Sequence, residues 1–202
     1  MRIGYGWDSH EFKRGVPLKI GGVTLPHSRG LAGHSDGDVL LHALTDALLG
    51  AVAAGDIGGF FPPSDPRWKG AASSIFLQTA LEEIATAGYR IVNIDTVLVM
   101  ARPKIVPIAG ELRERVAELL GVKPGEVGIK AKTPEGLNQD GVAVAHCTVL
   151  LESIDTPETL AHMTATAEDE EEMVAVVKDL VERHDISALG RKKPAFDTDD
   201  LT

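Results

Sequence analysis

Three residues within the first 42 positions have the types and the spacing of a metal-binding group. Asp8 and His10 stand two positions apart, so in an extended segment both side chains project to the same side. His42 closes the run HSDGDVLLH at residues 34–42. A carboxylate and two imidazoles leave one position of a tetrahedral ion open, and these ligands suit zinc. The sequence therefore predicts a catalytic Zn²⁺ site at Asp8, His10 and His42.

Two carboxylates flank the last of these residues. Asp38 and Asp46 each lie one helical turn from His42, so we expect a carboxylate to orient the imidazole ring of a metal-bound histidine. The alternative is that His42 is an ordinary satisfied histidine and Asp8 a turn former. The three ligands taken together, with HSDGD between them, favour the metal site.

Other polar residues stand where phosphate groups are commonly bound. His34 and Ser35 precede a predicted helix, whose N-terminal N–H groups attract anions, although capping alone also explains them. Lys104 lies between a strand and a helix, and Thr133 and Glu135 follow another strand. Glu135 is a candidate ligand for a hard cation such as Mg²⁺. Two cations, a helix N-terminus and several donors favour phosphoryl chemistry, while plain solvated strand ends are the alternative.

The elements that must position these residues form an α/β (α+β) fold. The pattern predicts a mixed four-stranded sheet with helices on one face and a small hairpin. Residues 55–70 are expected to be an irregular loop. The predicted strands cover 2–6, 89–100, 127–133 and 142–152, the hairpin covers 18–25, and the helices cover 36–54, 73–87 and 104–120.

The last strand has apolar residues on both faces. Val142, Val144 and Leu150 alternate with Ala143, Val149 and Leu151. Helices cover one face, so the other face needs a cover as well. A homo-oligomer packed sheet to sheet supplies that cover, and a parallel interior strand is the alternative.

Composition sets the outer limits. No run approaches the roughly 20 apolar residues of a membrane span, and no basic stripe indicates nucleic acid. The single Cys147 predicts a cytoplasmic protein without disulfides. Residues 155–202 carry 13 acidic and 5 basic residues of a chain whose net charge is −10. We expect a main domain at 1–154 and, at 155–202, an acidic extension with one amphipathic helix and a disordered end.

Several segments together resemble the 2-C-methyl-D-erythritol 2,4-cyclodiphosphate synthase family of non-mevalonate isoprenoid biosynthesis. The resemblance covers residues 1 to about 152, in order, and its longest block is specific. The segments are MRIGYGWDSH, GLAGHSDGDVLLHALTDALLGAVAAGDIGGFFP, DPRWKGAASS, RPK and KTPEGL.

The resemblance implies a role for each matching position. It implies one zinc per subunit on Asp8, His10 and His42, and Mg²⁺ (or Mn²⁺) on Glu135. His34 and Thr133 match residues that stabilise the transition state. The implied substrate contacts are Ser35 for phosphate, Asp56, Ile57, Gly58, Phe61, Ser64 and Asp65 for the methylerythritol part, and Met100, Ala101, Pro103, Lys104 and Val106 for cytidine.

The resemblance also implies the reaction and the assembly. The 2-phosphate of 4-diphosphocytidyl-2-C-methyl-D-erythritol 2-phosphate attacks the β-phosphorus, and CMP leaves. The family is a homotrimer with active sites between neighbouring subunits and with sheets packed around its axis. Two other functions stay open on the residues alone: a zinc phosphohydrolase, and a non-catalytic trimer with a structural metal.

The chain departs from the family pattern at three places within the matched region. The family often has a GFTGRGEG-type loop after Glu135, where this chain reads GLNQDGVAV without the arginine. Pro63 stands where an acidic residue is frequent. Lys132 occupies a position often held by a small hydroxyl residue, and we hypothesise that it contacts substrate and supplies the missing positive charge. The extension from residue 155 has no counterpart in that pattern.

Overall fold

The computed structural model describes residues 1–136 and 141–154, and all structural statements concern these residues. The strands are β1 (Arg2–Arg14), β2 (Leu18–Ile20), β3 (Val23–Leu25), β4 (Arg29–Leu31), β5 (Tyr89–Val99), β6 (Val127–Lys132) and β7 (Val142–Ser153). The helices are α1 (Val39–Ala51), α2 (Ile57–Phe60), α3 (Ser73–Thr86) and α4 (Ala109–Leu120).

The main sheet has the order β4-β1-β7-β5-β6. Strands β5 and β6 are parallel and the other neighbours are antiparallel, so the sheet is mixed. Four long strands carry it, as the sequence predicts, and β4 adds a three-residue edge strand that the sequence did not reveal. The predicted hairpin is the separate pair β2–β3.

Strand β1 is much longer than predicted. Instead of ending at residue 6 it continues to Arg14, because Glu11 still pairs with Val142 of β7 and Phe12 with Leu31 of β4. The predicted end of this strand at residue 6, before Asp8 and His10, is therefore wrong. Both lie inside a strand, two positions apart on the same face.

Helix α1 lies directly on β1, and two glycines permit the close approach. A Cβ atom on Gly4 would come 1.8 Å from the carbonyl oxygen of Ala47, and one on Gly6 would come 2.1 Å from that of Ala43. A side chain at either position would collide with helix backbone. The two glycines thus set the distance between the strand that carries two candidate ligands and the helix that carries the third.

The start of α1 is fixed by Asp38. Its carboxylate caps the helix by accepting from the N–H of Leu41, and also accepts from the N–H groups of Gly21 and Gly22 at 2.9 and 2.7 Å. The two glycines form the β2–β3 turn with positive φ, as a two-residue turn of type I′ requires. One buried carboxylate therefore joins the hairpin to the helix.

The helices cover one face of the sheet. Beneath them lies a continuous core that includes Leu40, Leu44, Leu98, Cys147 and Val149. The opposite face carries large exposed side chains on β1, with Ile3, Tyr5 and Trp7 exposed by 72%, 58% and 55%. Gly4 and Gly6 lie on the face of β1 that packs against α1. That face of the strand is therefore closely packed at these glycines, whereas the other face carries large exposed side chains.

Other boundaries also differ from the predictions. The helix predicted at 36–54 is shorter and covers only Val39–Ala51. The helix predicted from residue 104 begins at Ala109, after a 3₁₀ turn at Val106–Ile108. The loop at 55–70 contains α2 and a 3₁₀ turn at Pro66–Trp68, because Asp56 and Asp65 cap these short elements with their carboxylates. In the described part of the chain, no helix is long and apolar enough to cross a membrane. The predicted acidic helix of the extension lies outside the described residues.

Candidate active site

Strand β1 and helix α1 bring the three predicted ligands together. Asp8 Oδ2 lies 2.9 Å from His10 Nε2 and 2.9 Å from His42 Nδ1. The two ring nitrogens are also 2.9 Å apart. Asp8, His10 and His42 therefore form a group that is able to bind a metal ion, because their three ligand atoms lie close to one another.

The donor set fits a divalent cation. Ligand atoms about 2.0–2.2 Å from a zinc ion are roughly 3.3 Å apart in a tetrahedral site, close to the separations found here. An ionised carboxylate and an unprotonated imidazole nitrogen only accept, so their convergence suits a positive charge at the common point. Three protein ligands leave a fourth position open.

The electrostatics of Asp8 agree with such a role. Burial opposes ionisation of this carboxyl, but its hydrogen bonds with His10 and His42 outweigh burial and lower its pKa. Asp8 is thus held as a carboxylate.

The prediction that a helical neighbour orients His42 is wrong for both Asp38 and Asp46. Asp38 caps α1, and Asp46 accepts the backbone N–H of Ile57 at 2.8 Å. The Nε2 atom of His42 instead contacts the hydroxyls of Ser73 at 2.8 Å and Ser35 at 2.9 Å. Two hydroxyls therefore surround the ring nitrogen that faces away from the ligand group.

An open pocket of about 230 Å³ adjoins the ligand group. Among its predicted lining residues, the imidazole of His34 is exposed at the rim and Ser35 lies deeper. The complete lining consists of Asp8, His10, His34, Ser35, His42, Asp46, Ile57, Gly58, Phe61, Pro63, Trp68 and Phe76.

The pocket has an aromatic wall of three residues, of which sequence reasoning gave Phe61 but missed Trp68 and Phe76. The ring of Phe61 lies 4.3 Å from that of Phe76 and 4.9 Å from that of Trp68, centroid to centroid. Phe76 is on α3 and Trp68 is on the 3₁₀ turn, so two separate elements pack against the ring of Phe61. Aromatic residues on a helix face resemble ordinary core residues in a sequence, so only the tertiary contact identifies them as pocket lining.

Asp46 is the pocket's second carboxyl group. Burial raises its pKa, and the negative charges of Asp56 and Asp8 add to that rise, while the N–H of Ile57 opposes it. It was noted in the sequence as a neighbour of His42, and its position on the floor of the pocket was not foreseen.

Three predicted substrate contacts in the loop lie beside the pocket but outside its lining. Asp56 caps α2 through a hydrogen bond from the N–H of Gly59, and Asp65 pairs with Arg67. That hydrogen bond with Arg67 lowers the pKa of Asp65. Ser64 is exposed between them.

The remaining predicted residues lie at the ends of β5 and β6. The side chain of Met100 is buried in the core, and its N–H donates to the carbonyl of Lys132 at 3.1 Å. Ala101 and Pro103 are half-buried, whereas Lys104, Val106 and Lys132 are exposed. The hydroxyl of Thr133 donates to the carboxylate of Glu135.

These residues do not meet the ligand group within one chain. The sheet aligns Ser9 with Val144, Val144 with Val99, and Val99 with Lys132, in one row across four strands. Three strand spacings put Ser9 and Lys132 about 14 Å apart. The predicted site residues therefore form two groups. One lies at β1 and α1, and the other lies at the ends of β5 and β6, across the intervening strand β7.

The fold and the ligand group together define a class of protein: an α/β domain with an Asp/His/His group able to bind a metal ion beside an open pocket. More specifically, the chain belongs to the YgbB family, whose model matches residues 1–152.

Similar proteins agree with this assignment. A 2-C-methyl-D-erythritol 2,4-cyclodiphosphate synthase of Koribacter versatilis (strain Ellin345) is 66% identical over 152 residues, which are 75% of this chain and 98% of that protein. A solved structure of 2C-methyl-D-erythritol-2,4-cyclodiphosphate synthase has 43% identity and a TM-score of 0.71, covering 75% of this chain and all of that one. Another, in a form with bound CDP, has 41% identity, the same TM-score and the same coverage of both chains.

Proposed function

We propose that the chain is a phosphorus–oxygen lyase that converts 4-diphosphocytidyl-2-C-methyl-D-erythritol 2-phosphate into 2-C-methyl-D-erythritol 2,4-cyclodiphosphate and CMP. The observation that carries the proposal is the convergence of Asp8, His10 and His42 beside an open pocket. Family membership and relatives named for this activity support it. An intramolecular displacement also requires no covalent enzyme nucleophile, because the attacking oxygen belongs to the substrate's own 2-phosphate.

The side chains around the pocket fit a phosphate-rich substrate. Zn²⁺ at the ligand group and Mg²⁺ (or Mn²⁺) at Glu135 would neutralise phosphate charge and hold the reacting groups in line. His34 and Ser35 stand at the rim and interior as hydrogen-bond donors to phosphate oxygens. The aromatic wall of Phe61, Trp68 and Phe76 excludes water from one side, which strengthens those electrostatic contacts.

Positioning accounts for a large part of the expected rate. Holding the 2-phosphate and the diphosphate in an attack geometry contributes roughly 7–11 kcal/mol in well-oriented intramolecular reactions. Ile57 and Gly58 line the same pocket as His34 and are suited to hold the methylerythritol part.

We further propose that the cytidine end is bound by a second copy of the chain. A related structure binds CDP. The cytidine residues implied by the resemblance follow β5, which is two strand spacings, or about 10 Å, from β1, and Lys132 on β6 is about 14 Å from it. Metal ions that act together in one displacement are only about 4 Å apart, so Glu135 and the ligand group must come from different copies.

The exposed sheet face supplies a surface for that assembly. Ile3, Tyr5 and Trp7 are large, exposed and adjacent on one strand face. Packing such faces around a threefold axis gives the homotrimer that the resemblance implies. The catalytic domain in this proposal is residues 1–154, and the single, buried Cys147 fits the cytoplasmic location inferred from the sequence.

Incubation with the cytidylylated substrate tests the reaction. The expected products are the cyclic diphosphate and CMP, resolved by ³¹P NMR. A linear diphosphate or free phosphate would identify the zinc phosphohydrolase instead. If a protein loaded with metal forms none of these products, the result supports the non-catalytic trimer with a structural metal.

Mixing two inactive variants tests the shared site. His42→Ala disables one group of residues and Lys104→Ala the other. If each site takes one group from each of two copies, equimolar mixing and reassembly restores up to about one quarter of wild-type activity, since one interface in four joins two intact groups. If both groups act within one chain, the mixture stays inactive.

A further inference from the structure

Ser73 links the candidate ligand His42 to a carboxylate on another segment. It is the first residue of α3 and is fully buried. Its Oγ lies 2.8 Å from Nε2 of His42 and also contacts Oδ1 of Asp36. The other oxygen of Asp36 accepts from the ammonium group of Lys19 at 3.1 Å.

The protons of this chain of contacts can be assigned. The Asp36 carboxylate, paired with Lys19, only accepts. It receives the backbone N–H of Ser73 at 3.2 Å and, on the same oxygen, the hydroxyl proton of Ser73. A serine hydroxyl has one proton, so towards His42 the Ser73 oxygen can only accept.

We infer that Ser73 and Asp36 are positioning residues that fix the tautomer of His42. Because Ser73 accepts from it, Nε2 must carry the imidazole proton. Nδ1, which lies 2.9 Å from the ligand atoms of Asp8 and His10, is then the ring nitrogen whose lone pair would face a cation bound at their common point. Lys19 holds Asp36 in place, and Asp36 turns the hydroxyl of Ser73 away from the ring.

The second hydroxyl at Nε2 follows the same logic. Ser35 Oγ is 2.9 Å from a nitrogen that already carries a proton, so it cannot donate there. Its own proton is left for another acceptor, and Ser35 lines the pocket. The tautomer thus decides which nitrogen of His42 can bind a cation. It also decides that the hydroxyl of Ser35 donates its proton to a group other than His42.

This inference rests on the proposed metal-dependent function, which it makes more specific. Partners that orient a ligating histidine typically change metal affinity by about 10–100-fold when removed. We expect Ser73→Ala to weaken zinc binding within that range. Ser73→Thr keeps a hydroxyl and should recover most of the affinity.

Two-bond ¹H–¹⁵N correlation NMR on the metal-free full-length wild type tests the tautomer without any metal. At a single pH near 8, Nε2 of the wild-type His42 ring should carry a proton, with or without a second proton on Nδ1 towards Asp8, and Ser73→Ala should lower the occupancy of the Nε2 proton. A wild-type ring with its proton on Nδ1 alone overturns the inference.

Zinc affinity measured by chelator competition tests the consequence. Ser74→Ala, in the same turn of α3, is the matched control and should bind zinc like the wild type. Equal affinity for Ser73→Ala and wild type, or equal loss in Ser73→Ala and Ser74→Ala, contradicts the positioning role. If the wild type binds no zinc while its tautomer is as expected, the metal function fails and the assignment of protons stands.

Discussion

The two groups of candidate site residues differ in how completely one chain assembles them. The ligand group is preformed: Asp8, His10 and His42 meet at 2.9 Å between a strand and a helix that pack on each other. The second group lies at the ends of β5 and β6, across β7 from β1, and its residues Lys104 and Lys132 are exposed. The difference teaches that one chain is enough to assemble the ligand group, whereas the complete site of the proposed function needs a second copy.

Local packing explains why the first group is rigid. Its residues are anchored by regular elements on both sides, and His42 is 8% exposed. Residues of the second group follow strand ends, where few contacts restrain them. A second copy of the chain would supply the missing restraint.

The largest expected effect is loss of the metal-binding group itself. His42→Ala should lower kcat about 10³-fold, because several kcal/mol of charge stabilisation depend on the bound ion. Zinc content by atomic emission and turnover should fall together. His27→Ala, which removes a histidine that contacts Arg29 away from the site, is the control and should keep both. A His42→Ala protein that retained zinc and activity would refute the ligand assignment.

A slightly smaller effect is expected from separating β1 and α1. Gly6→Ala places a methyl group where Ala43 O now lies and should lower the free energy of unfolding by about 3 kcal/mol. Zinc affinity should fall too, since His42 moves away from Asp8 and His10. Gly110→Ala is the control, because open space surrounds that helical position. Urea unfolding and zinc competition measure the two effects, and an unchanged affinity would show that the glycines do not set the site.

A variant that dissociates the proposed oligomer but leaves each chain folded separates the two groups of residues most clearly. Trp7→Glu puts a charge on the exposed sheet face and should dissociate the oligomer, as measured by sedimentation. Activity should fall at least about tenfold, because desolvating an unpaired charge at an interface costs several kcal/mol. Zinc affinity should stay near that of the wild type. Lys123→Glu, away from that face, should change neither property, and an active Trp7→Glu monomer would contradict the shared site.

A modest effect is expected from the second group's extra cation. Lys132→Thr should raise KM about fivefold without changing zinc affinity, since an exposed charge contact is worth about 1 kcal/mol. Lys130→Thr is the comparison, because Lys130 is already paired with Asp95. Identical kinetics for wild type and Lys132→Thr would show that the lysine does not replace the missing arginine.

The smallest effect is expected beyond the family match. A chain ending at Ile154 should keep its turnover within about twofold, since the family model ends at residue 152. Steady-state kinetics and sedimentation of the shortened chain check this. Loss of activity or of the oligomer would give the acidic extension a role in the enzyme.

The parts that could be predicted from the sequence depend on local periodicity. The spacing by two predicts that Asp8 and His10 lie on one side, and that prediction is confirmed although the strand that carries them is longer than predicted. The hairpin followed from Gly21 and Gly22, whose positive φ suits a tight turn.

The parts that could not be predicted depend on long-range contacts. The true end of β1 is set by pairing with residues near 142, more than 130 positions away. Ser73 is 31 positions from His42, and no local pattern connects them. Asp38 was assigned to the wrong partner because a carboxylate one turn from a histidine fits both capping and ring orientation, and only the hairpin contact decides between them.

The alternation along β1 has a consequence for how the chain can change. Its even-numbered residues face α1 and the ligand group, whereas Ile3, Tyr5 and Trp7 face outwards. Substitutions at odd positions can therefore alter association without touching metal chemistry. A one-residue insertion before Asp8 would reverse that division at once, because it moves every following or preceding side chain to the other face of the sheet. The metal-binding group is therefore insensitive to residue identity at the outer positions of this strand but sensitive to changes in the strand's length.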